Sequence, residues 1–167
     1  TQNFLSNRLV TVFVTIPPQK NIVRAIAGKY VHIEVMVPPG KEPHGYQPSP
    51  KQILALYNAK AYFEIGMPFE KTLVKKLKIM DIKADFIDMR NNTKQLVYYV
   101  NGKITIDPHI WLSPVQLKIL CDNTLNALIK LIPQHADYFK DNYNAYIKKL
   151  NKINKELKKI LNPYKGE

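Results

Sequence analysis

Apolar residues in the first two-thirds of the chain alternate between two periods, and the switches between them predict strand–helix units. Leu9 to Ile16 (LVTVFVTI) is a β-branched run that stops at Pro17-Pro18. Ile22, Val23 and Ile26 then follow at helical spacing as far as Gly28, which completes one βα unit. Val31 to Val37 (VHIEVMV) alternates as a strand and ends at Pro38-Pro39-Gly40, and a helix is predicted over Lys51 to Asn58. Ala61 to Ile65 (AYFEI) is a third short strand, closed by Gly66, before a lysine-rich helix from Phe69 to Leu77; Ala84 to Met89 (ADFIDM) is a fourth strand. Repeated βα units of this size predict an α/β fold, a parallel sheet flanked by helices on both faces. Ligands of such sheets bind beyond the carboxyl ends of the strands.

After the fourth strand the pattern changes. LVYYV and KITI flank Asn101-Gly102, the strongest short signal for a two-residue hairpin. From Pro114 a helix runs to Leu131 with Leu117, Leu120, Cys121, Leu125 and Leu128 on one face, broken at Pro133. Then Phe139, Tyr143, Tyr146, Leu150, Ile153, Leu157 and Ile160 step by four and three residues. This is a heptad-like stripe on a helix of about 22 residues, roughly 33 Å long. Such a helix lays its stripe along its own domain, along a second domain, or against another chain.

Composition limits the classes of function. A chain of 167 residues with 46% hydrophobic content has enough apolar surface for one large domain, or a domain with an appendage. No run approaches the roughly 18 apolar residues of a membrane span. The first residues, TQNFLSNRLV, lack the basic-then-apolar order of a signal peptide, as expected of a processed or trimmed product. The single cysteine, Cys121, excludes an internal disulfide and reads as a small buried hydrophobe. A formal charge of +12 and a pI near 9.7 raise nucleic acid and anionic membranes as partners. The lysines, however, are densest at Lys71 to Lys78 and Lys148 to Lys159, interleaved with apolar residues as on solvated helix faces. Without an aromatic RNA-binding motif, finger spacing or recognition helix beside them, no nucleic-acid partner is expected.

The candidate chemistry lies in two proline-framed segments, PHGYQPSP at Pro43 to Pro50 and DPHIWLSP at Asp107 to Pro114. Each holds one histidine shortly before a Ser-Pro pair that suits a helix N-cap and first-turn proline. His44 follows the end of the second strand, on the side where such sheets bind ligands. Two fixed neutral imidazoles are half of a four-ligand transition-metal site, for which zinc is the usual occupant. His32, within a strand, and His135, at a helix start, read as surface groups. Trp111 reads as packing between the last helix and the sheet.

Taken in order, IPPQK, MVPPGKEPHGYQPSP, AKAYFEIGMPFE and DPHIWLSP resemble the N-terminal lobe of the zinc and manganese solute-binding proteins of ABC importers (cluster A-I). The striped helix resembles the spine that joins the two lobes in that family. The resemblance covers Leu9 to Ile160. It implies one lobe of a bilobed periplasmic-binding-protein fold over residues 8–132 and a linking helix over 134–162, the chain ending at Glu167 where the second lobe would begin. It also implies His44 and His109 as metal ligands, a third and an acidic fourth ligand from the second lobe, an ABC importer permease as partner and an extracytoplasmic location. Asp107 and Tyr46 are implied as turn and supporting groups, because a ligating imidazole commonly donates its other N–H to a nearby acceptor. Glu70 matches a glutamate that recurs after the third strand, either near the metal or opening a helix, where a carboxylate suits the dipole. Ser113 stands where relatives usually have aspartate and caps as well. Zinc is favoured over manganese because IPPQK and IGMPFE are closest to the zinc branch, although Asp88 to Ile106 has no histidine where zinc relatives often carry a His-rich loop. Two other functions compete with this one. A metal hydrolase would need a third ligand and a general base, for which Glu70 is the one candidate, and no HExxH exists; an enzyme is not expected. A self-associating one-lobed module, dimerising through the spine helix or swapped elements, would bring two histidine pairs into one site.

Overall fold

The computed structural model describes residues 9–165. Four strands, β1 (Val10–Val14), β2 (Val31–Val35), β3 (Ala61–Glu64) and β4 (Asp85–Asp88), form a parallel sheet in the order β2-β1-β3-β4. The connecting helices are α1 (Pro17–Ala27), α2 (Pro50–Tyr57) and α3 (Pro68–Ile79). A separate hairpin, β5 (Leu96–Val100) and β6 (Lys103–Asp107), leads to α4 (Pro114–Leu131) and α5 (Ala136–Leu161).

Side-chain alternation along the central strands divides the core in two. Val12, Val14, Ala61 and Phe63 point to the face covered by Ile22, Val23 and Ile26 of α1, Leu120, Cys121 and Leu128 of α4, and Phe139 of α5. Phe13 and Tyr62 point to the other face, against Leu56 of α2 and Leu73 and Leu77 of α3. Both faces are covered, as the near-continuous apolar strands require. Burial pushes the Cys121 thiol up to about 12, so it packs as a small hydrophobe.

The strands are shorter than their apolar runs. Leu9 to Ile16 yields only Val10–Val14 because the amides of Thr15 and Ile16 turn to the Gln19 side chain (3.0 and 3.2 Å). The hairpin forms at the expected place: Asn101 (φ 51°) and Gly102 (φ 74°) are both left-handed and Val100 pairs with Lys103, the signature of a type I′ turn. The last helix has 26 residues rather than about 22, roughly 39 Å. Its stripe divides along its length. Phe139 (0% exposed) and Leu150 (7%) are buried, whereas Ile153 (51%) and Ile160 (64%) face solvent.

Candidate metal site

One local device opens each of the four main helices around the site. Each begins with Pro at its first position and Gln or Glu at its third: Pro17 and Gln19, Pro50 and Gln52, Pro68 and Glu70, Pro114 and Gln116. In the first three the third side chain turns back to satisfy main-chain groups of the preceding turn, and in the fourth it reaches back to the hairpin. Gln19 accepts from Thr15 and Ile16 and donates to the Phe63 carbonyl (3.0 Å). Gln52 donates to the Met36 carbonyl (2.7 Å) while accepting from the Ser49 amide and the Tyr46 hydroxyl (both 2.9 Å). It thereby ties both ends of the loop that carries His44. Gln116 accepts from the Lys94 amide (2.8 Å) at the root of the hairpin that delivers His109. Ser49 and Ser113 cap their helices as expected, accepting from the amides of Gln52 and Gln116.

Both histidines are braced in the same way. In Glu42-Pro43-His44 the carboxylate accepts from the His44 amide (3.0 Å) and faces ring Nδ1 at 2.5 Å. In Asp107-Pro108-His109 the distances are 2.9 and 2.7 Å. An ionised carboxylate only accepts, so each ring donates from Nδ1 and keeps its lone pair on Nε2. The His44 side chain, then its amide, holds Glu42 below the usual carboxylate range; for Asp107 the His109 amide comes first, then the ring. Asp107 thus has the supporting position the sequence suggests. Glu42 was missed, although the repeat Glu/Asp-Pro-His was there to be read.

The two loops face one cavity. His109 and Trp111 line a cleft of about 190 Å³ together with Pro38, Pro39, Lys41 and Pro43, the last immediately before His44. Trp111, partly buried against the core, also stands edge-on to His109 with ring centroids 5.2 Å apart. Among the described residues no group of three or more His, Cys, Asp or Glu side chains could hold a metal ion.

Tyr46 and Glu70 act at one remove. The Tyr46 hydroxyl goes to Gln52, not to His44. Glu70 is buried and accepts from the amides of Ile65 (3.0 Å), Gly66 (2.5 Å) and Met67 (2.8 Å) and from the Thr15 hydroxyl. Its carboxylate opens α3 and shapes the turn after β3, the helix-opening alternative of the two. Gly66, at φ 87°, sits where a Cβ would collide with the Arg90 guanidinium. His32 pairs with Glu34 at the surface (2.7 Å) and His135 stacks on Tyr30 (3.7 Å).

Two predictions arise here. Asp107→Asn keeps the shape of the brace and removes its charge, so zinc affinity by titration is expected to fall about tenfold, within the usual range for such partners; unchanged affinity would detach the brace from binding. The second concerns Glu64, whose carboxyl is pushed up to about 7, by burial first and then by Glu70 and Asp88, against Lys78 and Arg90. The folded chain holds a proton between the ordinary 4.5 and about 7 that the unfolded chain has released. Its contribution to stability therefore falls as pH rises through that window. Glu64→Gln stays neutral, and its Tm is expected to decline less between about pH 5 and about pH 7.5 than the wild type's; equal slopes would reject the assignment.

A parallel α/β lobe that offers two braced imidazoles from loops beside one cleft, with a long helix running on from it, has the architecture of a lobe of the metal-binding solute-binding proteins. The chain belongs to the family described as zinc-uptake complex component A periplasmic, whose profile matches residues 12–167. It is 32% identical over 152 residues to a Chlamydia muridarum protein described as metal-binding, covering 90% of this chain and 53% of that one. It is 29% identical to the manganese ABC transporter substrate-binding lipoprotein PsaA of Streptococcus pneumoniae, covering 88% of this chain and 50% of the relative. The crystal structure of a zinc-bound ZnuA deletion mutant superposes with a TM-score of 0.85 at 35% identity, covering 93% of this chain and 60% of that one. The chain spans about half the length of the curated relatives it matches.

Proposed function

We propose that the chain forms the N-terminal half of a divalent-metal receptor that captures zinc outside the cytoplasmic membrane and delivers it to an ABC importer permease. The observation that carries this reading is the pair of carboxylate-braced imidazoles, His44 and His109, each with Nδ1 engaged and Nε2 left for a metal. Neutral imidazole nitrogen suits zinc better than manganese, which prefers oxygen donors. The zinc-bound relative at 35% identity supports the same choice, although the manganese lipoprotein at 29% shows that related lobes serve both ions. Residues 8–132, described from residue 9, are the metal-binding lobe, and 134–162, helical as α5 from Ala136 to Leu161, the linking segment. Glu42 and Asp107 orient the rings; Gln52, Gln116, Tyr46 and Glu70 hold the loops.

Two imidazoles leave the remaining zinc positions to water or to ligands of a second lobe. Calorimetric titration of this chain with zinc and with manganese tests the proposal. Zinc binding that exceeds manganese binding supports it; equal or reversed preference overturns the choice of metal, and no binding of either overturns the site.

A further inference from the structure

The β5–β6 hairpin places apolar side chains where a solvent-facing ribbon ordinarily carries polar ones. Its register pairs Val97 with Ile106 and Tyr99 with Ile104. The period of two puts these four on one face, and they are 60%, 51%, 74% and 67% exposed respectively. The opposite face carries Leu96, Tyr98 and Val100 across from Asp107, Thr105 and Lys103. Both faces are open to solvent, since Leu96, Tyr98 and Val100 are exposed as well, but only the face of Val97, Tyr99, Ile104 and Ile106 is wholly apolar. A two-stranded hairpin is marginally stable in water unless something covers it.

Charge and size indicate what covers it. Between Asp88 and Asp107 the sequence has Arg90, Lys94 and Lys103 and no acidic residue, in a chain of net charge +12. Arg90 is already paired with Asp88 (2.7 Å), which leaves Lys94 and Lys103, both exposed. The apolar face offers on the order of 500 Å², the size of an isolated functional patch and less than the roughly 800 Å² per partner of a stable protein interface. A thin ribbon with an apolar underside, a tyrosine in it and lysines at its tip and root matches the boundary of an anionic bilayer. There aliphatic groups sink about 5–10 Å, tyrosine sits at headgroup depth and lysine reaches up to phosphate. We infer that the β5–β6 hairpin is a membrane-docking element that lays Val97, Tyr99, Ile104 and Ile106 into an anionic phospholipid surface. The hairpin ends at Asp107, the brace of His109, so docking brings the root of the His109 loop near the membrane.

The test is co-sedimentation with phosphatidylcholine vesicles containing about 30% phosphatidylglycerol. The variant Val97→Ser/Tyr99→Ser/Ile104→Thr/Ile106→Thr leaves the charge unchanged, so diffuse lysine attraction is preserved in it. It is expected to bind these vesicles at least about tenfold more weakly, and Lys94→Gln and Lys103→Gln about fivefold more weakly each. Retention of zinc binding by the quadruple variant shows that its fold is intact, and vesicle binding by a His44→Ala chain separates docking from the metal site. On the wild type, vesicles are expected to slow amide exchange across residues 96–107. Equal sedimentation of the quadruple variant and wild type, no added protection of the hairpin, or a concentration-dependent wild-type dimer lost in the variant would each overturn the proposal, the last in favour of a second copy of the chain.

Discussion

His44→Ala and His109→Ala are each expected to weaken zinc binding at least about 100-fold, the upper end of what loss of a mere supporting group costs. Each imidazole is held in advance: proline precedes it, a carboxylate accepts a hydrogen bond from its Nδ1–H, and Gln52 or Gln116 ties down the loop around it. Little ordering would therefore remain at the moment of binding, and under the proposed function the two nitrogens would act as a chelating pair. Removing one leaves a single monodentate contact, so the double variant is expected to lose far less than the sum of the two single losses, the non-additivity of groups that act together. Calorimetry on the three variants and wild type decides it. Binding that survives both single substitutions would mean that the braces orient surface histidines and nothing more.

The second large effect is on stability. Phe139→Ala is expected to cost about 3–5 kcal/mol, because Phe139 is 0% exposed in the core shared by α1, α4 and the sheet, with Tyr30, His135 and Tyr138 around its ring. In a chain of this length that corresponds to a fall in Tm of roughly 10 °C. Ile160→Ala, in the same stripe but 64% exposed, is expected to change stability by less than about 0.5 kcal/mol. Denaturant midpoints at constant slope would show the contrast. Similar losses at the two positions would mean that the outer half of α5 is packed in solution.

That contrast marks the limit of what could be read from residues alone. The stripe from Phe139 to Ile160 was legible as a helix with one apolar face, because periodicity reports which side chains lie together. It does not report where the covering stops, and only the first part of the stripe meets α1 and α4. The hairpin shows the same gap. Asn101-Gly102 specified the turn, but alternation in LVYYV and KITI cannot say whether either face is covered, and here every residue of β5 is exposed. At the site, His44 and His109 stood out because prolines frame them, and Asp107 followed from its place beside His109. Glu42 did not, since an exposed glutamate in a loop of Pro and Gly looks like solubilising charge until its bond to Nδ1 is seen. Gln19, Gln52 and Gln116 were invisible for a related reason: a glutamine near a helix start has no strong signal of its own, and its role lies in which main-chain groups the preceding turn leaves open.

The recurring Pro-x-Gln/Glu opening has a consequence for how such lobes diversify. Because the Gln19, Gln52 and Glu70 clips bond main-chain groups just before their own helices, while Gln116 holds the root of the hairpin, the loop residues between these anchor points can change without altering the frame that holds them. Selection can then exchange one cargo ion for another by editing a handful of loop positions.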